Sequence, residues 1–137
     1  MPRSVRWCSA VLLALGVGFF AGCSQGDGPS LYEVSGTIEY NGKPVEKGAI
    51  TFRNLGSDGR GYSGDIVDGK YSLKCEAGEM RVEILGSRTV PGKTVKDEDG
   101  KMVPVNEMYL PAKYNSSSTL KIKVEAKSQT IPFQLEK

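Results

Sequence analysis

Glu33-Val34-Ser35-Gly36-Thr37-Ile38-Glu39-Tyr40-Asn41-Gly42-Lys43-Pro44-Val45 is the stretch that decides the fold. Val34, Gly36, Ile38 and Tyr40 fall on one side of an extended chain and Glu33, Ser35, Thr37 and Glu39 on the other, the period-two pattern of a half-buried strand. Asn41-Gly42 follows at once, and these residue types enter the left-handed region of a tight hairpin turn at least cost. The same alternation recurs downstream. Over 49–53, Ile50 and Phe52 oppose Thr51 and Arg53; 54–61 is a Gly, Ser and Asp loop; 62–67 reads as a third strand. Asp68-Gly69 then turns the chain into 70–75, with Tyr71, Leu73 and Cys75 on one face.

Residues 76–79 read as a turn before 80–85, where Met80, Val82 and Ile84 face inward. The rhythm breaks over 88–105, which holds Pro91, Gly92, Asp97, Glu98, Asp99, Gly100 and Pro104 and predicts a long exposed excursion with a small hairpin around Asp99-Gly100. Alternation resumes at 119–125 through Leu120, Ile122 and Val124, and 130–135 closes the domain with Ile131, Phe133 and Leu135 inward. Pro132 lacks a backbone donor, which puts the last strand at an edge. Seven strands separated by turns, with no helical stripe, predict an all-β fold over 31–137: one seven-stranded antiparallel β-sandwich of prealbumin-like or Ig-like type.

Upstream of the strands the chain has a different character. Met1 to Trp7 carries Arg3 and Arg6 and no acid, and an apolar run too short to span a bilayer as a helix leads to Phe20-Ala21-Gly22-Cys23. This segment resembles the signal peptide and lipobox of a bacterial lipoprotein, with Phe20 where such boxes usually carry Leu. The resemblance implies cleavage after residue 22, acylation of Cys23 by a diacylglyceryl group with palmitate-like chains, and export to the periplasmic or outer-surface side of the cell envelope. A plain signal peptide that leaves Cys23 as a free thiol is the alternative. Residues 23–30 are rich in Gly, Ser, Asp and Pro and form a flexible tether, whose random-coil reach is a couple of nanometres or less. Ser24 resembles an outer-membrane sorting residue.

Composition excludes several functions. Arg3 and Arg6 account for the whole formal charge of +2, so the rest of the chain is balanced, and no Lys/Arg cluster in the sequence suggests nucleic acid. Histidine is absent from all 137 residues. That removes a Ser-His-Asp triad, a Cys-His pair and His-containing zinc sites. With Cys8 in the signal and Cys23 acylated, Cys75 has no disulfide partner and, on an inward face, takes a structural rather than a redox role.

Val34-Ser35-Gly36-Thr37-Ile38, Asn41-Gly42-Lys43-Pro44-Val45, Gly48-Ala49-Ile50-Thr51-Phe52 and Asp68-Gly69-Lys70-Tyr71-Ser72-Leu73 together resemble the carboxypeptidase-regulatory-like domain, a transthyretin-like β-sandwich. The downstream Leu110-Pro111-Ala112-Lys113-Tyr114-Asn115 and Ser118-Thr119-Leu120 look like a version found in small bacterial lipoproteins. The resemblance implies an accessory module without catalytic residues or cofactor. Transthyretin-like enzymes that hydrolyse urate products depend on His, and this chain has none.

Three constellations bear on chemistry. Asp97-Glu98-Asp99-Gly100 offers oxygen ligands for Ca²⁺ but lacks EF-hand spacing and reads as a solvated turn. Asp65 and Asp68 suggest an acid and base pair, yet Asp68 suits a hairpin turn and Asp65 an alternating polar face. Tyr109, Lys113, Tyr114 and Asn115 form the ligand candidate: aromatic rings with polar handles for a glycan or peptide. The competing and favoured reading has Leu110, Pro111 and Tyr114 plugging one end of the sandwich while Asn115 makes local hydrogen bonds. The expectation is a non-catalytic, lipid-anchored envelope module that binds or supports a protein partner. The alternative is a carbohydrate- or peptide-binding lipoprotein using the 88–115 excursion.

Overall fold

The computed structural model describes residues 28–56 and 58–137. The expected signal peptide with Cys8, the expected acylation site Cys23 and most of the expected tether lie outside the described residues. Ten strands occur among those described: β1 (Tyr32–Tyr40), β2 (Lys43–Pro44), β3 (Lys47–Asn54), β4 (Gly61–Val67), β5 (Lys70–Cys75), β6 (Gly78–Lys96), β7 (Met102–Met108), β8 (Lys121–Val124), β9 (Gln129–Thr130) and β10 (Phe133–Leu135). A single 3-10 turn, Ala112–Tyr114, interrupts them. The fold is all-β, and no helix among the described residues is long and apolar enough to cross a membrane.

The strands form one hydrogen-bonded sheet in the order β10-β1-β5-β4-β3-β6-β7, curled into a half-barrel. Both predicted two-residue turns adopt positive φ, at Asn41 (49°) and Gly42 (76°) and at Asp68 (50°) and Gly69 (73°). From β1 to β7 along this path the pairings are antiparallel, while β9 and β10 run parallel to β1. The expected last strand is thus split in two at Ile131-Pro132, at the sheet edge where Pro132 can be accommodated.

The 88–105 segment is a correction. It is not a loop with a small hairpin: β6 continues unbroken as a strand to Lys96 and pairs with β7 in a long ribbon. A register shift between Thr89 and Thr94 absorbs Pro91 and Gly92, the latter at φ 73°. The turn does fall at Asp99-Gly100, where the Asp97 carboxylate accepts the Asp99 and Lys101 amides at 3.0 and 2.8 Å. Both faces of the ribbon's far part are largely exposed, so no burial alternation marked it in the sequence.

The curl is visible in side chains. β4 and β5 pair only at Ile66–Tyr71 and Val67–Lys70 beside their turn, and a Cβ on Gly64 would lie 2.6 Å from the Ser72 carbonyl oxygen. Phe52 of β3 therefore meets Phe133 of β10 across the sheet at 6.3 Å between ring centroids. The interior holds Val34, Ile38, Ile50, Phe52, Tyr71, Met80, Val82, Ile84 and Val124, the inward positions of the alternating pattern. The segment between β7 and β8 completes the open side of β6: Leu110 is buried, the Ser118 hydroxyl donates to the Val82 carbonyl, and the Val82 amide donates to Leu120.

Gly36 sits where the parallel strand docks. A Cβ there would lie 2.1 Å from the Ile131 carbonyl oxygen and 2.9 Å from the Tyr71 ring. The Tyr71 hydroxyl donates to that same carbonyl at 2.7 Å. We expect Gly36→Ala to lower the unfolding free energy by roughly 2–3 kcal/mol through overpacking. Tyr71→Phe should cost about 1–2 kcal/mol by leaving the carbonyl without its donor. Urea denaturation measures both, and wild-type midpoints would remove the role assigned to this junction.

Candidate functional site

The two tight turns lie together at one end of the sheet and are laced by backbone hydrogen bonds. The amides of Ile38, Val45, Asp68 and Gly69 donate to the carbonyls of Gly69, Ile38, Glu46 and Val45, at 2.8, 3.0, 2.8 and 2.8 Å respectively. Beside them β6 enters its ribbon, and a cleft of about 930 Å³ opens between the turns and the ribbon. Tyr40, Lys43, Glu46 and Asp68 line one wall, and Arg88, Glu107 and Tyr109 the other.

Each side chain is placed by its strand. Tyr40 ends the inward row of β1 and meets Tyr109 edge-on, with centroids 5.9 Å apart and rings 63° to one another. Tyr109 is held by its amide, which donates to the Gly86 carbonyl at 3.1 Å. Arg88 and Glu107 are cross-strand partners of β6 and β7, and the guanidinium donates through Nε (2.8 Å) and Nη2 (2.7 Å) to one carboxylate oxygen. The same guanidinium lies 5.1 Å from the centre of the Tyr109 ring, a cation–π contact. Desolvation, then the negative charge of Glu46, push the Tyr109 phenol above its ordinary range, with Arg88 opposing. The phenol is consequently a neutral donor at physiological pH. The cleft combines two phenols, two cations and three carboxylates, a lining that offers both donors and acceptors with little net charge.

Of the residues singled out in the sequence, Tyr109 lines this cleft; Lys113, Tyr114 and Asn115 do not. The Tyr114 hydroxyl donates to the Glu136 carbonyl at 2.9 Å and accepts the Glu136 amide at 2.8 Å, fastening the C-terminal strand. Lys113 places its ammonium 5.1 Å from the Tyr114 ring centre. The Asn115 amide group donates to the Pro111 carbonyl at 3.2 Å, and its side-chain oxygen accepts the Ser116 amide at 2.7 Å. Asp68 lines the cleft from its turn, whereas Asp65 stands on the exposed face of β4, opposite Ala49, so these two carboxylates do not form a pair. Tyr40, Lys43, Glu46 and Arg88 were not anticipated. The one available signal was Tyr40, a large polar aromatic closing an inward row directly before a turn.

No family model matches this chain, and no curated protein matches it. Among solved structures, a crystal structure of a 9R-lipoxygenase from Cyanothece PCC8801 aligns with a TM-score of 0.36 and 14% identity, over 77% of this chain and 16% of that one. The chain therefore spans about one-sixth of the lipoxygenase's length. A likeness this shallow carries no argument.

Cys75 is the nucleophilic type nearest the core. It is fully buried, and desolvation, with the negative charge of Glu76 adding to it, pushes the thiol up from 9.0 to about 11. Burial also raises the Tyr71 phenol well above its ordinary range. In both groups the folded state holds its proton more tightly than the unfolded state. For Cys75 the associated stability is whole below pH 9 and is lost as pH rises through about 11. We expect the unfolding free energy to fall by roughly 2–3 kcal/mol on the Cys75 account alone across that window. We also expect a thiol reagent at pH 8 to label Cys75 only as fast as the domain unfolds; immediate labelling of native protein would contradict the burial.

Proposed function

We propose that this chain is a lipid-anchored, non-catalytic β-sandwich module of the cell envelope that binds a protein partner through the cleft at its turn end. The lipobox-like Phe20-Ala21-Gly22-Cys23 supports the anchor. The sandwich reading, of the transthyretin-like kind, draws support from the short pairing of β4 with β5, confined to Ile66–Tyr71 and Val67–Lys70, which joins β10-β1-β5 to β4-β3-β6-β7. One geometric observation carries the binding role: the tether joins β1 at Tyr32 and the cleft begins at Tyr40, at the opposite end of the same strand. With a rise of about 3.3 Å per residue, β1 separates the two by about 25–30 Å. A short tether would keep one end near the lipid and leave the cleft open to partners on the same surface, where confinement raises effective concentration and a modest interface suffices.

The second reading, a glycan or peptide ligand, is favoured by the composition of the cleft. Paired tyrosines flanked by Glu46, Asp68 and Lys43 suit hydroxyl-rich or backbone groups that need donors and acceptors together.

Cys23→Ala should abolish incorporation of labelled palmitate and release the protein from the membrane fraction; retained label would sink the anchor. Crosslinking on intact cells should give one dominant protein adduct, reduced on the order of ten-fold by Tyr40→Ala with Tyr109→Ala. No protein adduct, together with envelope retention of unacylated protein, would favour the glycan reading instead.

A further inference from the structure

The outer face of the sheet concentrates cations at one end. Arg53 of β3, Arg81 of β6 and Lys121 of β8 are successive cross-strand neighbours, and Gly61 of β4 extends the row without a side chain. Lys123 follows two residues along β8, opposite Glu79. The alternate positions Phe52, Met80, Val82 and Val124 are buried, so these cations stand on the solvent side. Like charges side by side on a sheet repel one another. Here Arg53 and Arg81 share one carboxylate, Glu83, at 3.5 and 2.7 Å, and the Lys121 and Lys123 ammonium groups make no ion pair among the described residues. The Nε of each arginine is enclosed with no hydrogen-bond partner. Four cations thus face Glu79 and Glu83, while Glu125, which also acts on Lys123, is itself paired with Lys127 at 2.6 Å; the row keeps an excess of cations that suits an array of anions.

This is also the tethered end. β1 starts here, with Tyr32 opposite Cys75; β3 ends here at Asn54; β6 begins at Gly78 opposite Val124. The Gly, Ser, Asp and Pro composition of residues 24–30 predicts a random-coil reach of about 13–16 Å. The Debye length in physiological salt is about 8 Å, so the basic end stays within about two screening lengths of the surface that holds it.

We propose that Arg53, Arg81, Lys121 and Lys123 bind the phosphate headgroups of the anionic lipid surface to which the chain is tethered, seating the domain with its cleft outward. The inference rests on the lipid anchor proposed above. Anionic leaflets attract Lys and Arg held near them, so the seat strengthens with the lipid's charge and weakens with salt.

The test uses acylated protein in vesicles of phosphatidylcholine alone or mixed with phosphatidylglycerol, read by amide hydrogen exchange. In the anionic vesicles, amides of β8 and of the Arg53 end of β3 should exchange about ten-fold more slowly than in neutral ones, and about 1 M salt should erase the difference. Lys121→Glu with Lys123→Glu should erase it too, Lys121→Gln with Lys123→Gln should reduce it, and Lys70→Glu at the far end should leave it intact. Equal exchange in both vesicles, with the protein still anchored, overturns the docking and spares the anchor. Protein that stays with neither vesicle overturns both. Equal protection by inorganic phosphate in neutral vesicles overturns the membrane as occupant and assigns the face to soluble phosphate.

Discussion

The contact among Phe52, Tyr71 and Phe133 is the constraint on which the rest of the structure depends. These rings come from β3, β5 and β10, and their centroids are 5.9–6.3 Å apart. In the sheet order, β10 and β3 have three strands between them, so their rings can touch only if the sheet folds over. Each aromatic pair adds about 0.5–1.5 kcal/mol beyond the area it buries. The folding-over has steric requirements that the sequence meets at particular positions. Gly36 opens room for the Ile131 carbonyl, the Tyr71 hydroxyl donates to that carbonyl, and the Ile131 amide donates to the Ser35 carbonyl at 2.8 Å. One buried tyrosine therefore joins the aromatic cluster to the hydrogen bonding of the edge strand.

Much of this is legible in the amino-acid sequence. Val34 to Tyr40, Ile50 with Phe52, and Tyr71, Leu73 and Cys75 each announce a buried face because a strand with one wet side must alternate. The turns were equally readable, since Asn-Gly and Asp-Gly are chosen for positive φ. The ribbon of β6 and β7 was not. Its far part has little core to face, so its pairing leaves no hydrophobic period, and Pro91, Gly92 and Pro104 look like loop residues although a bulge accommodates the first two. Nor could alternation foretell that β9 and β10 run parallel to β1, because a period of two is the same in either direction. The cleft was half legible. Tyr109 stood out as an aromatic shortly before Pro111, Lys113 and Asn115, but its partner Tyr40 looked like one more inward side chain, and only the curl brings the two within 5.9 Å.

Tyr114 and Asn115 show how a promising composition can serve the fold. Both carry polar groups beside Pro111, and both direct those groups at main-chain atoms, Tyr114 to Glu136 and Asn115 to Pro111 and Ser116. A hydroxyl that donates and accepts at once has little left for a ligand. Tyr109, whose amide is used but whose ring is offered to Arg88 and Tyr40, keeps its phenol for the cleft.

The two ends of the sheet differ in electrostatic character, and that follows from register. On the outer face, the row through Arg53, Arg81 and Lys121 is cationic, the next through Ser63, Thr51 and Glu83 is polar, and the last through Val67, Lys47, Ser87 and Met108 exposes apolar side chains. A slip of one residue in β3 against β6 would turn Arg53 inward and Phe52 outward, so the core that closes the fold also fixes where the cations stand. A sheet can repel itself at one end only if its interior holds the register against that repulsion. The same aromatic packing that curls the strands thus supplies the rigidity with which the domain can present a basic end and a mixed-polarity cleft some 25–30 Å apart.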